Sequence, residues 1–183
     1  MVAAVSVSIP DHFSLFGLEP RFGLDNDHLI RAYRTVQAHV HPDRYAGAGA
    51  AEQRAALQWA TLANEAYQVL NSPVRRAAYL CELHDVEVSG ESGRSLPSDF
   101  LALQLEWRHA LEQIRRQRDS QRLQELRGEV QTLWQRELRH LESRIDVEHD
   151  FTGAADGVRR LMFIEKFIKE LEAGDDPHAA PAT

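Results

Sequence analysis

The sequence has little cysteine and no long apolar run. Cys81 is the only cysteine among 183 residues, which excludes a disulfide within this chain and a cysteine-rich zinc site. No apolar stretch approaches the roughly 20 residues that a transmembrane helix needs. The opening MVAAVSVSIP lacks the basic start of a signal peptide. We therefore expect no membrane association and, by default, a reducing cytoplasmic location.

Positive charge is also limited. Lys and Arg number 21 against 28 Asp and Glu, so the formal net charge is −7. Binding of the whole protein to nucleic acid would need clustered cations that neutralise phosphates, so we expect no nucleic-acid partner. The apolar content of 43% is ordinary for a globular chain of this length, which is enough to bury a core.

Strand signals are scarce, because apolar residues recur mostly at spacings of three and four. The pattern predicts an all-α protein. Long helices are predicted over residues 27–40, 51–70, 98–117, 121–143 and 153–172, and a shorter one over 74–83. The first two should form an antiparallel hairpin, since alanines in the second allow close approach. The last three should form a three-helix bundle.

Two segments lack helical periodicity. Residues 85–97 are rich in Ser and Gly, which indicates a linker or bend between two halves of the chain. Residues 173–183, with the composition AGDDPHAAPAT, are predicted to form a disordered tail.

A proline interrupts the chain between the first two long helices, in the stretch His41-Pro42-Asp43. A residue before proline is displaced from the α region, and proline has no N–H to donate. The tripeptide therefore predicts a stiff turn that presents an imidazole and a carboxylate. The cations around it are Arg31, Arg34 and Arg44. Together they predict a basic face that suits an acidic partner.

Chemistry alone leaves this turn open between a binding motif and an ordinary helix stop, because His and Asp are common beside turn prolines. A metal site is less well supported. His39, His41 and Asp43 are close in sequence, but no second cluster of ligands accompanies them. No nucleophile motif is present either, which disfavours a hydrolase.

The first helix of the second half carries apolar residues outside its predicted core stripe. That stripe consists of Phe100, Leu103, Trp107, Leu111 and Ile114. At about 100° per residue, Leu101 and Leu105 fall away from the stripe, and Phe163 is similarly displaced in the last helix. Exposed apolar residues with a polar rim indicate a binding surface. Packing at a helix flank is the alternative, and periodicity does not decide between them.

The first half of the chain resembles the J-domain of DnaJ-type co-chaperones. His41-Pro42-Asp43 lies, as in that family, on the loop between a basic helix and an alanine-rich helix. DHFSLFGL resembles the opening of the family, and ANEAYQVLNSPVRRAAYL resembles its third and fourth helices. Many members have Lys-Phe after the tripeptide, whereas Arg44-Tyr45 stands here and keeps one cation and one aromatic ring.

The second half narrows the resemblance to HscB-type J-proteins of iron–sulfur cluster assembly. SLPSDFLALQLEWRHALEQI and VRRLMFIEKFIKEL resemble the HscB bundle, and the sequence has no CxxCxGxG zinc repeat. The resemblance implies a J-domain over residues 1–84 and a scaffold-binding bundle over 98–172, in an L-shaped molecule.

The same resemblance implies a function. The protein would be a co-chaperone, not an enzyme and without cofactor or metal, that delivers the scaffold IscU to the DnaK-type chaperone HscA and stimulates its ATPase. The implied chaperone-binding residues are Arg31, Tyr33, Arg34, His41, Pro42, Asp43 and Arg44. The implied scaffold-binding residues are Leu101, Ala102, Leu105, Glu106, His109, Gln113 and Phe163. Family members can carry a larger apolar residue and two acids where Ala102, His109 and Gln113 stand, so contacts there should be weaker or differently shaped.

Three alternatives make different predictions. A general J-protein with another client would not bind the scaffold specifically. An enzyme using His41 and Asp43 would turn over a substrate without a partner protein. A purely structural helical scaffold would tolerate Asp43→Asn without loss of any activity.

Overall fold

A computed structural model gives the structure of residues 10–88 and 98–173, apart from the side chains of residues 42, 98 and 99. All regular elements in these ranges are helical, which confirms the all-α prediction. The α-helices are α1 (His12–Leu15), α2 (Asn26–Val40), α3 (Ala50–Asn71), α4 (Pro73–Glu82), α5 (Ser98–Gln117), α6 (Ser120–Glu142) and α7 (Phe151–Ala173). A 3-10 turn, Pro42–Tyr45, follows α2, and a π-helical segment, Ser143–Val147, follows α6.

The predicted helices begin and end within one or two residues of those observed. None of the helices in the described ranges is both long and apolar enough to cross a membrane. Residues 89–97 of the predicted linker and 174–183 of the predicted tail lie outside the described residues.

The chain divides into two compact units, Met1–Leu80 and Cys81–Thr183, and the division falls within α4. The domain limits predicted from the sequence, 1–84 and 98–172, stay predictions.

In the N-terminal unit, local chemistry determines where α2 begins and ends. The Asp25 carboxylate accepts the N–H groups of Asp27 and His28 at 2.9 and 3.3 Å and so caps the start of α2. Pro42 ends the helix, because the preceding His41 takes an extended conformation with φ −61° and ψ 127°. The following helix, α3, buries small side chains that let α2 approach closely. They are Ala56, Ala60, Ala63 and Ala66.

The C-terminal unit packs α5, α6 and α7 around one core. The buried Trp107 of α5 stacks on Phe167 of α7 with ring centroids 5.1 Å apart, which confirms the core position predicted for Trp107. Gly157 of α7 faces Leu141 of α6, where a Cβ atom would lie only 3.2 Å from Leu141 Cδ2. The missing side chain therefore allows α6 and α7 to approach closely.

The segment after the division in α4 is attached to this second core. The Cys81 thiol donates to the Phe151 carbonyl at 3.6 Å, and the His84 ring stacks on the Phe151 ring with centroids 3.5 Å apart. The Arg159 guanidinium donates to the Val88 carbonyl at 3.2 Å, and Val88 is buried. The last turn of α4 and the residues that follow it are thus part of the C-terminal unit.

The Cys81 thiol should be chemically protected. It is completely buried, and burial together with repulsion from Glu82 raises its pKa to about 11 against an opposing effect of Arg159. We expect negligible reaction with Ellman's reagent at pH 8 in the folded protein and rapid reaction in urea. Reaction at the rate of a free thiol in the folded protein would contradict the burial.

The raised pKa also predicts the direction of a pH effect on stability. An unfolded thiol ionises near pH 8.5, whereas the folded thiol keeps its proton up to about pH 11. The unfolded state therefore binds fewer protons in this range, and the free energy of unfolding should fall as pH rises through it. The free energy of unfolding can be measured by urea titration from pH 8 to pH 10. It should fall less over this range in Cys81→Ala than in the wild type, because the variant has no thiol to ionise.

Candidate functional site

The His41-Pro42-Asp43 turn presents its two polar side chains to solvent. The Asp43 backbone N–H donates to His41 Nδ1 at 3.3 Å, and the same ring nitrogen lies 3.6 Å from Asp43 Oδ2. The side chains of His41 and Asp43 are 55% and 90% exposed. Of the residues that the structure describes, no Lys or Arg lies within ion-pair distance of the Asp43 carboxylate. Its neighbour at ion-pair distance is His41 Nδ1, 3.6 Å away, and with 90% of the Asp43 side chain exposed the carboxylate is available to a partner.

The residues after the tripeptide hold the turn against the end of α2. The Arg44 guanidinium donates to the Ala38 carbonyl at 2.6 Å, and the Tyr45 hydroxyl donates to the His39 carbonyl at 3.2 Å. Carbonyls in the last turn of a helix have no partner within the helix, so these two bonds stabilise the helix end and position the turn. Arg44, predicted to face a partner, therefore also has a structural role.

The predicted basic residues of α2 lie on its outer side. Arg31 and Arg34 are exposed, and the Arg31 guanidinium is 4.0 Å from the Asp25 carboxylate in a solvent-screened pair. Tyr33 faces α3 instead: its hydroxyl donates to Asn64 Oδ1 at 2.8 Å, and its ring stacks on the Tyr67 ring at 4.3 Å. Tyr33 therefore supports the helix that carries the arginines. We call Arg31, Arg34, His41 and Asp43 the turn surface.

The residues weighed as metal ligands do not form a group of three ligands in the described part of the chain. Within residues 10–88 and 98–173, no three His, Cys, Asp or Glu side chains are grouped so that they could hold a metal ion. The His39 ring lies 2.7 Å from the Thr35 carbonyl, one turn back along α2.

The second predicted surface lies on the outer side of α5. Leu101 and Leu105 are 42% and 59% exposed, which confirms their predicted exposure. Four further predicted residues of α5 are exposed as well: Ala102, Glu106, His109 and Gln113. Together these six residues form the α5 surface.

Phe163 of α7 is half-buried and lies against α5. Its ring meets the Phe100 ring edge-on with centroids 5.8 Å apart, and the Arg108 guanidinium lies 5.9 Å from its centroid. Arg108 follows Leu105 by three residues, so the two are neighbours along the helix. Phe163 therefore adjoins the α5 surface.

Sequence reasoning missed two further exposed residues, Met162 and Asn64. Met162, beside Phe163 in the chain, is 47% exposed, and its apolar character was a usable signal. Asn64 Oδ1 accepts hydrogen bonds from the Tyr33 hydroxyl at 2.8 Å and from Gln37 Nε2 at 2.5 Å. No local pattern reveals that role, because it depends on how α2 and α3 are aligned.

Comparison with known proteins gives the family. A co-chaperone protein HscB homolog of Bordetella pertussis is 47% identical over 163 residues, covering 89% of this chain and 95% of the relative. The chain belongs to the HscB family. A co-chaperone protein HscB homolog of Burkholderia mallei is 44% identical over 168 residues, covering 91% of this chain and 95% of the relative. The family profile described as "HSCB C-terminal oligomerisation domain" matches residues 96–172.

Solved structures of HscB proteins have the same fold. Chaperone HscB from Vibrio cholerae matches with a TM-score of 0.81 at 32% identity, covering 91% of this chain and 98% of that one. Human co-chaperone protein HscB matches with a TM-score of 0.85 at 23% identity, covering 92% and 83%. The resemblance found in the sequence is thus confirmed. The roles of individual residues in the turn surface and the α5 surface stay predictions.

Proposed function

We propose that this HscB-family co-chaperone binds IscU through the α5 surface and Phe163, delivers it to HscA, and stimulates the ATPase of HscA through the turn surface. The observation that carries the proposal is the exposed Asp43 carboxylate on a turn held rigidly beside a basic helix. The family to which the chain belongs supports it. The process served would be the maturation of iron–sulfur proteins in the cytoplasm.

At the turn surface, Arg31 and Arg34 attract an acidic region of the chaperone. Asp43 then accepts a charge-assisted hydrogen bond, for which an arginine of the chaperone is the best-matched donor. The exposed His41 ring lies beside this carboxylate and is available to the same partner. Hydrolysis takes place in the chaperone, so this protein supplies a coupling free energy between sites and no catalytic group.

At the α5 surface, Leu101, Leu105 and Phe163 bury apolar area against the scaffold. Glu106 provides a charge at the rim, while Ala102, His109 and Gln113 leave the surface less acidic and less bulky than in some family members. Holding the scaffold on the same chain that binds the chaperone raises its effective concentration there. The protein thus couples the client to the ATPase cycle.

The test is steady-state ATP hydrolysis by an HscA-type chaperone, with this protein and IscU added separately and together. We expect stimulation by this protein alone and a larger, more than additive stimulation when both are present. Stimulation that ignores IscU would favour a J-protein with a different client. Absence of stimulation from folded protein and active cognate chaperone would contradict the proposal.

A further inference from the structure

Leu57 is a large apolar side chain that α3 leaves in solvent. It is 58% exposed, although it lies in the alanine-rich helix that packs against α2. Single exposed leucines are common in proteins, so exposure alone indicates nothing. The surroundings of Leu57 are more informative.

Two residues, Gln53 and Asn64, flank Leu57 on the same side of α3, and each forms hydrogen bonds outside that helix. Gln53 donates through Nε2 to the carbonyls of Ala46 and Ala48, at 3.3 and 3.1 Å, in the segment that follows the His-Pro-Asp turn. Asn64 accepts the Tyr33 and Gln37 side chains of α2. One flanking residue is thus tied to the loop and the other to the basic helix.

Helix geometry then places Leu57 between these two attachments. It follows Gln53 by four residues and precedes Asn64 by seven, which corresponds to about 6 and 10 Å along the axis and to within about 40° around it. Gln37, which binds Asn64, follows Arg34 by three residues and is its neighbour along α2. Leu57 therefore adjoins the side of the hairpin that carries Arg34 and the turn.

We infer that the docking surface for the DnaK-type chaperone extends from the turn surface onto α3, with Leu57 as its apolar contact. The inference rests on the proposed function. Charge complementarity defines the partner surface: Arg31 and Arg34 require acidic groups, and Leu57 requires an apolar patch beside them. Salt screens the contacts of the arginines but not the burial of a leucine. Binding that includes Leu57 should therefore depend less on salt concentration than binding through the arginines alone.

The experiment is a titration of chaperone ATPase with wild-type protein, Leu57→Gln, Leu57→Met and Trp59→Gln. Trp59 is 37% exposed on the same helix, but it lies about 200° around the axis from Leu57, so it controls for loss of exposed apolar area. We expect Leu57→Gln to raise the half-maximal concentration about three- to tenfold at unchanged maximal rate. Leu57→Met should stay within about twofold of wild type because it keeps the apolar volume, and Trp59→Gln should match wild type.

Circular dichroism melting of each variant verifies that the fold is intact. If the wild type stimulates the ATPase and Leu57→Gln has the same half-maximal concentration, the inference is overturned and the proposed function stays in place. An equal weakening by Trp59→Gln would also overturn it, because the effect would then not belong to this face. Failure of the wild type to stimulate would reject the proposed function itself, together with this inference.

Discussion

Asp43→Asn should eliminate stimulation of the chaperone ATPase, with a fall of roughly 30-fold or more in the stimulation at limiting concentration. Removal of one partner of a desolvated, hydrogen-bonded charge pair typically costs about 2–5 kcal/mol, and about 1.4 kcal/mol corresponds to a factor of ten. Asparagine keeps the size of the side chain and removes its charge. The substitution therefore removes the electrostatic part of the binding free energy.

The local fold should survive this substitution, because the Asp43 carboxylate contributes only a solvent-exposed contact with His41 Nδ1, at 3.6 Å. The bonds that shape it use the Asp43 backbone: its N–H donates to His41, and its carbonyl accepts the N–H of Ala46 at 3.4 Å. Asparagine retains both backbone groups. A change in activity without a change in melting temperature is accordingly the expected result.

Asp85→Asn is a matched control. Asp85 is exposed, and its φ of 56° is a left-handed conformation that asparagine tolerates. It should stimulate like wild type, and Asp43→Asn should still bind IscU with wild-type affinity. If Asp43→Asn stimulates the ATPase as well as the wild type does, the tripeptide is an ordinary helix stop and not a binding motif.

Leu101→Ala/Leu105→Ala should weaken binding of IscU by roughly 30- to several hundredfold. Truncating a leucine that becomes buried at the centre of an interface costs about 1–2 kcal/mol, and two neighbouring leucines approach the sum. Both side chains are largely exposed in the free protein, so its unfolding free energy should change little. Isothermal titration calorimetry with IscU measures the affinity directly.

Val147→Ala controls for removal of exposed apolar area in the same unit. Val147 is 74% exposed and lies in the π-helical segment after α6, away from α5 in the chain. It should bind IscU like wild type. In the ATPase assay, the double leucine variant should recover full synergy when IscU is raised, because only the affinity is lowered. An unchanged dissociation constant would remove the α5 surface from the proposal.

Much of the secondary structure could be predicted from the sequence, because its signals are local. Asp25 caps α2 through backbone N–H groups two and three residues away. Pro42 ends that helix through the residue beside it, and Pro73 begins α4 because proline suits the first helical position. Helix phase likewise predicted that Leu101 and Leu105 leave the core face of α5, but it did not decide between a binding surface and packing at a helix flank.

Tertiary structure alone decided which residues meet across elements. Three sets of hydrogen bonds join residues whose separations in the sequence follow no helical period. They link Asn64 to Tyr33 and Gln37, Arg44 to the Ala38 carbonyl, and Arg159 to the Val88 carbonyl. Periodicity identifies the buried face of each helix, but it leaves open how that helix is shifted and rotated against its neighbour. Side-chain packing and hydrogen bonds between helices select that register, so the supports of the turn and the place of Leu57 became apparent only in the folded chain.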